Sequence, residues 1–458
     1  MPAAHTSRIA GMHDDGADRP NQYALLRQRR FGPFFWTQFL GAANDNLFKF
    51  AFTVLVTYQL GVSWLPPSHA GLVIGALFIL PYLLFSATSG QLADKWDKRR
   101  IFVLTKNLEI AIMALVAWGM LAQNVPLLLA CIFLMGTHST LFGPAKFAYL
   151  PQVLSPRELT GGNGMVEMGT FVAILLGNVA GGLLVARPEV GHAQVAVAGL
   201  ALALLGRLSA QFIPAAPATD PGLRINWNLF SETWRNLRLA QGQPVVFRSL
   251  LGISWMWFFG AVFLAQFPAF AREVLHGDEQ VAALLLVVFS VGVGAGALLC
   301  ERLSRGQVEI GLVPLGALGM SLFAADLWLA SRGLPPGGLM DVPAFLSRPA
   351  HWRVVADLLL LSLSAGIYSV PMYALVQLRS QPTHRARIIA ANNILNALFM
   401  VASSVIAGAL LSAGSSIPQL FLMTAGANLL VSMAVFLLVP EYLSRCAALV
   451  RGLRTVET

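Results

Sequence analysis

Apolar residues run along this chain in blocks of roughly twenty, separated by short polar stretches, and blocks of that length predict helices able to cross a bilayer. The approximate spans are 33–60, 69–91, 101–121, 126–147, 161–186 and 192–212, then 249–270, 280–299, 310–330, 354–378, 388–411 and 418–438. The first span breaks its own pattern. Thr37-Gln38-Phe39-Leu40-Gly41-Ala42-Ala43-Asn44-Asp45-Asn46-Leu47-Phe48-Lys49 sets an acid, a base and several amides where hydrocarbon is expected. On a helix, Gln38, Gly41, Asp45, Lys49 and Thr53 share one face, while Phe48, Phe50 and Phe52 lie mostly away from it.

An ionisable residue at mid-membrane costs about 2.5 to 3.5 kcal/mol on insertion scales, so it is kept for a cavity or a partner. Asp45 precedes Lys49 by four positions, the orientation that favours an ion pair on one helix. The pair alone would be a packing device. Because such a pair can be replaced by apolar residues without loss of stability, the stripe with Asn44 and Asn46 is read instead as a working site.

Composition agrees with the spans. The chain has 458 residues, 56% hydrophobic and 12% charged, with a mean hydropathy of +0.66. Soluble domains carry about 25% charged residues, so the reading is an all-α polytopic membrane protein. The net charge of +9 must be read against topology before it suggests nucleic acid. The tail, the loops after helices 2, 4, 6, 8 and 10, and the C-terminal tail hold 25 of the 31 Lys and Arg, counting Arg207 near the inner end of helix 6. The opposite loops hold Arg187, Arg272, Arg332, Arg348 and Arg353, and Lys49 is intramembrane. Both termini are therefore expected on the cytoplasmic side, and no nucleic acid is expected as a partner. The first thirty residues lack an apolar core, so no cleavable signal is expected, and residues 1–21 read as disordered. Cys131, Cys300 and Cys446 fall singly, which predicts neither a disulfide framework nor a metal site.

Five regions follow: a tail (1–30), a six-helix bundle (31–214), a linker (215–248), a second six-helix bundle (249–440) and a C-terminal tail (441–458). Within the linker Trp227, Phe230, Trp234 and Leu237 recur at helical spacing beside Arg235 and Arg238. They predict an amphipathic helix, either on the inner membrane surface or packed beneath the bundles. The insert from Arg332 to Arg353 has no readable role. The halves echo each other. Gly90-Gln91-Leu92-Ala93-Asp94-Lys95-Trp96-Asp97-Lys98-Arg99-Arg100 follows helix 2, and Gly296-Ala297-Leu298-Leu299-Cys300-Glu301-Arg302-Leu303-Ser304-Arg305-Gly306 follows helix 8. Pro144 to Asn163 has a looser counterpart in Pro371 to Asn392. This is a parallel repeat of the kind transporters use.

The stretch from Gly90 to Arg100 resembles the helix 2 to 3 signature of the major facilitator superfamily. The resemblance implies a cytoplasmic charge network in which Asp94, Lys95, Asp97, Arg99 and Arg100 gate rather than touch substrate; the alternative is a solvated, topology-setting loop. A narrower resemblance covers most of the chain. Residues Gln38 to Asn46, Gly143-Pro144-Ala145-Lys146-Phe147, Leu150-Pro151 and Gly162-Asn163-Gly164-Met165-Val166-Glu167 are similar to the bacterial lysophospholipid transporter family.

That family implies a flippase. It would move lysophosphatidylethanolamine and related lysolipids from the outer to the inner leaflet of the cytoplasmic membrane by alternating access, for reacylation. Carried onto this chain, Asp45 would pair with the ethanolamine ammonium and Lys146 with the phosphate; a basic anchor at a helix end is the other reading of Lys146. Glu167, one turn from Asn163, or Glu109, two residues after Asn107, would contact head group or coupling ion; Glu167 is the better candidate because it lies within a matching motif, and the other reading of Glu109 is that it answers Lys106. Gln266, Tyr368, Tyr373, Gln377, Asn392, Asn393 and Asn396 supply neutral hydrogen bonds. Gln266 stands where some members of the family carry an arginine.

No cofactor is expected; the coupling ion, sodium or proton, is open. A monomer is expected, with membrane lipids around it and a separate cytoplasmic acyltransferase as a plausible partner. The competing transporter reading is an ion-coupled carrier of a water-soluble solute or drug on the same scaffold. An acyltransferase is not expected, since no His is followed four residues later by Asp and His138, His192 and His384 lack a convincing catalytic acid nearby.

Overall fold

The computed structural model describes residues 21–451, apart from 61, 66, 188, 305, 306, 333 and 335–337. The predicted disorder of residues 1–20, part of the 332–353 insert, the last two residues of the second signature and residues 452–458 therefore lie outside the described residues.

Apolar runs of this length bury their backbone polar groups only as helices, and the described residues form helices joined by short turns. The first half comprises α1 (Gly32–Val54), α2 (Pro67–Lys95), α3 (Lys98–Leu121), α4 (Val125–Val153), α5 (Pro156–Val185) and α6 (Gly191–Ala210). After the linker helix α7 (Leu229–Gln241) come α8 (Pro244–Ala269), α9 (Glu279–Ser304), α10 (Leu312–Ala330), a short α11 (Val342–Leu346), α12 (Pro349–Arg379), α13 (Arg385–Ser412) and α14 (Ile417–Leu438), with α15 (Glu441–Val450) closing. Local chemistry sets several starts. Asp97 accepts the Arg99 amide at 2.8 Å ahead of α3, and Glu158 accepts the Ser155 amide at 2.9 Å with Pro156 opening α5.

Among the described residues, eleven helices are long and apolar enough to span a membrane. The twelfth is α1, whose apolar run is diluted by Gln38, Asn44, Asp45, Asn46 and Lys49. It lies in the same layer because it packs along α5 and α6. The predicted all-α fold of two six-helix bundles is the fold observed.

Helix pairing repeats between the halves. In the first, α1 packs on α5, α2 on α4 and α3 on α6; in the second, α8 packs on α13, α9 on α12 and α10 on α14. Small residues allow the closest approaches: a side chain at Gly177 or Gly181 would strike the α1 backbone at Ala43 or Leu47, and one at Gly296 the α12 backbone at Leu363. The glycines of 177, 181 and 296 thus serve packing within a bundle.

The bundles meet along two seams, α2 against α13 and α5 against α9. Contacts between them concentrate at the face where α1 begins and α14 ends, called here the terminus face. At the first seam Asp94, fully buried, accepts Arg387 Nε at 3.0 Å and the Ala386 amide at 3.2 Å. The linker joins in: Thr219 and Asp220 donate their amides to the Asp94 carbonyl at 3.0 and 2.9 Å, and the Asp220 carboxylate accepts Arg387 Nη2 at 3.3 Å. At the second seam the Gln22 amide donates to Glu301 Oε2 at 3.2 Å and its side chain to the Leu298 carbonyl at 3.0 Å. Gln22 belongs to a 3-10 turn, Gln22–Arg27, which is fixed to the first bundle where Arg30 pairs with Glu158 and the Tyr149 hydroxyl donates to the Arg30 carbonyl at 2.7 Å.

Helix α7 lies beneath the first seam, against α2, α13 and α8. It faces the bundles with Glu232, Asn236 and Ala240, while Trp227, Phe230 and Trp234 are exposed. The aromatic stripe seen in the sequence therefore points away from the protein.

Candidate functional site

The polar residues of α1 separate into two groups. Asn44 Nδ2 donates to Glu109 Oε1 at 2.7 Å. Glu109 also takes the Lys106 ammonium at 2.5 Å, and His138 Nε2 lies 3.3 Å from its Oε2. All four side chains are buried. Removing one partner of such a cluster would strand a charge, so it fixes α1, α3 and α4 together. Two sequence expectations change here. Glu109 answers Lys106 and also Asn44 and His138, and His138 has an acid beside it that only the fold supplies.

Asp45 forms the second group. Its Oδ2 accepts the Ser139 hydroxyl at 2.5 Å, the Tyr82 hydroxyl approaches the same serine, and Oδ1 is buried with no hydrogen-bond partner. Lys49 does not close on it. The ammonium sits 4.7 Å from the Phe78 ring centroid, and no ion pair within 4.0 Å joins it to Asp45. A self-neutralising pair on α1 is thus not what the fold builds. Asn46 turns back on its own helix, donating to the Ala42 carbonyl at 2.8 Å.

Lys146 and Glu167 form the other charged wall, on α4 and α5. Lys146 Nζ donates to Thr170 Oγ1 at 3.2 Å, and Thr170 in turn donates to Gln38 Oε1 at 3.2 Å. Glu167 is 4% exposed. It lies close enough to Lys146 for the two charges to act on each other, yet no ion pair within 4.0 Å forms between them. The structure groups Lys146 with Glu167 rather than with Asp45.

From Lys146 a chain of rings crosses to the second bundle. Phe147 stacks on Tyr373 with centroids 4.8 Å apart and planes at 1°, and Trp257 Nε1 donates to the Tyr373 hydroxyl at 3.1 Å. Behind Trp257 lies an apolar recess of about 50 Å³, whose walls include Phe171 from α5, Trp257 and Gly260 from α8, and Phe289 from α9.

The remaining candidates lie elsewhere. Gln377 exchanges hydrogen bonds with Asn163 at 2.6 and 3.1 Å and donates to the Phe147 carbonyl at 3.1 Å, bridging the bundles. Gln266 is half-buried near the opposite end of α8. Asp94 is the acid of the first seam, but Asp97 caps α3 and accepts the Ala216 amide at 3.3 Å. Arg99 reaches the Gln211 carbonyl at 2.9 Å; Lys95 is half-buried and Arg100 exposed. Lys98, absent from the sequence candidates, is fully buried and reaches the Pro217 carbonyl at 3.3 Å. Arg387 was signalled only by its place in the repeat counterpart. Ser139, Thr170 and Gln22 carried no signal.

Residues 34–345 match the family model described as Major Facilitator Superfamily. The Lysophospholipid transporter LplT of Escherichia coli (strain SE11) is 30% identical over 357 residues, 75% of this chain and 79% of the relative. The chain belongs to that lysophospholipid transporter family of the major facilitator superfamily. Solved structures share the fold at low identity. The human organic anion transporter MFSD10 (TETRAN) is 16% identical with a TM-score of 0.70, over 92% of this chain and all (100%) of that one. FucP in the outward conformation is 15% identical with a TM-score of 0.67, over 91% of this chain and 99% of that one. The protein is accordingly a transporter, multi-pass in the bacterial inner membrane.

Proposed function

We propose that this transporter moves lysophospholipid, lysophosphatidylethanolamine and related lysolipids, from the outer to the inner leaflet by alternating access, for reacylation. One observation carries the reading: Lys146, half-buried, and Glu167, buried, face each other on one wall closely enough for their charges to interact, without an ion pair. Buried charges need partners. A zwitterionic head supplies both at once, its phosphate to Lys146 as a point charge and its ammonium to Glu167. Asp45, with Oδ1 free on α1, is the acid that the ammonium meets farther from the terminus face. The relatives' name supports the lysolipid substrate.

With both termini on the cytoplasmic side, as the charge bias has it, the closed terminus face makes this the outward-facing state. Gating then falls to the seams. Asp94 and Arg387 must part, and so must Gln377 and Asn163, before the head can leave inward. No catalytic step, cofactor or metal enters this scheme; a separate acyltransferase would consume the product. The test is transport of labelled lysophosphatidylethanolamine by the purified protein in vesicles, with and without sodium and proton gradients. Leaflet movement in wild type and its loss in Lys146→Ala are the expected results; no movement under any gradient sinks the reading.

A further inference from the structure

The recess behind Trp257 is where the structure says more than the charges do. It is apolar throughout, and Gly260 of α8 forms part of its wall. A Cβ built on Gly260 would meet nothing closer than the Phe289 ring edge at 4.0 Å. Glycines such as Gly177, Gly181 and Gly296 are forced by a neighbouring backbone; Gly260 is not. A helix loses stability by carrying glycine where alanine would fit, so the missing side chain leaves room rather than resolving a clash.

Two separate links tie that room to the charged wall. Phe171, which walls the recess from the first bundle, follows Glu167 by four residues on α5, one helical turn along the same face. Trp257, which walls it from the second, is bonded to Tyr373, which stacks on Phe147 beside Lys146. An apolar space one turn from paired but unjoined charges fits an amphiphile whose chain begins where its charges end. Apolar cavities stay dry and take apolar guests.

We propose that this recess is the acyl-chain subsite of the transporter, filled by the first methylenes of the lysolipid tail, and that Gly260 sets the bulk it accepts next to the ester. The subsite rests on the lysolipid reading given above. The head is then held by one bundle and the start of the tail by the other, so that a single substrate molecule spans the gap between them.

The test fills the space without touching the charges. Wild type, Gly260→Ala and Gly260→Leu are reconstituted in vesicles and assayed with lysophosphatidylethanolamine carrying octanoyl, lauroyl or palmitoyl chains. Thermal unfolding in detergent checks that each variant is folded, and photo-crosslinking with a palmitoyl lysolipid bearing a diazirine near its ester, mapped by mass spectrometry, reads occupancy directly. Gly260→Leu should lower palmitoyl uptake roughly tenfold, the effect of about two lost methylene contacts, with Gly260→Ala between it and wild type. Octanoyl and lauroyl uptake should fall by a similar factor, since all three chains share the methylenes next to the ester, and crosslinks to α8 around residue 260 should disappear.

Wild-type uptake in Gly260→Leu would overturn the subsite, as would a loss of uptake with the near-ester crosslinks to residue 260 retained, which marks a conformational defect. Crosslinks formed as readily by a diacyl lipid would assign the recess to bulk membrane instead. Wild type that moves none of the lysolipids would overturn the lysolipid reading itself, and the subsite with it.

Discussion

Single side chains divide here into those that hold the first bundle together and those left for a ligand, and the difference lies in their partners. Glu109 has three, Lys106, His138 and Asn44. Glu109→Ala would leave the Lys106 ammonium buried and uncompensated, at a cost of about 3 to 5 kcal/mol; thermal unfolding should show that loss, and Lys106→Met added to it should recover much of the stability. Asp45 has only Ser139 and a free Oδ1. Asp45→Asn keeps the shape and removes the charge, so lysolipid uptake should fall at least about tenfold, the scale of a hydrogen bond to a charged group, with unfolding temperature little changed. Wild-type uptake in that variant would remove Asp45 from the pathway. The sequence already favoured Asp45 for the site; the partners show why Glu109 is held in place instead.

Among the elements, the two seams carry matching clasps. Asp94 ends α2 and meets the start of α13, its hold reinforced by the linker at Thr219 and Asp220. Glu301 ends α9 in the second copy of the signature, and there the turn before α1 supplies the donor, Gln22. Replacing Gln22 by alanine should loosen the second seam alone, seen as faster labelling of a cysteine placed at Thr160 from the terminus side. Asp94→Lys should do the same at the first seam, read at Ala386→Cys. Unchanged labelling in both would mean that the clasps do not hold the closed state. Beyond the bundles, Arg379 donates to Glu441 on α15 at 2.7 Å and holds that carboxyl below its ordinary value of 4.5. A lowered acid gives its stabilisation above the unfolded value and loses it as pH falls through the folded one. Docking of α15 should therefore weaken in acid, measured by proteolysis of the C-terminal segment, and Arg379→Ala should flatten that dependence.

At the scale of the molecule, the interior is divided between the bundles: charge on α1, α4 and α5, hydrocarbon and rings on α8 and α9. A lysolipid has the same division. Isolated head group, glycerophosphoethanolamine, should compete weakly with lysolipid uptake and should lose that competition in Lys146→Ala, because it can occupy only the charged side. In the alternating access proposed above, the bundles rock about the seams of α5 with α9 and α2 with α13. Opening the terminus face then requires both clasps to release.

Sequence alone determined the spans, the repeat and the all-α class, because a bilayer enforces apolar length and internally satisfied backbone on each helix separately. It also marked Asp45 and Lys49 as out of place in hydrocarbon, and the family resemblance added Lys146 and Glu167. Tertiary structure alone decided which charges neutralise each other. Lys49 turned to Phe78, Glu109 collected partners from three helices, and Gln22 reached Glu301 across 279 positions of chain. Such pairings depend on distances between helices, and no local pattern encodes those. The space beside Gly260 belongs to the same class, since a glycine in a helix reads alike whether a backbone or nothing at all lies next to it.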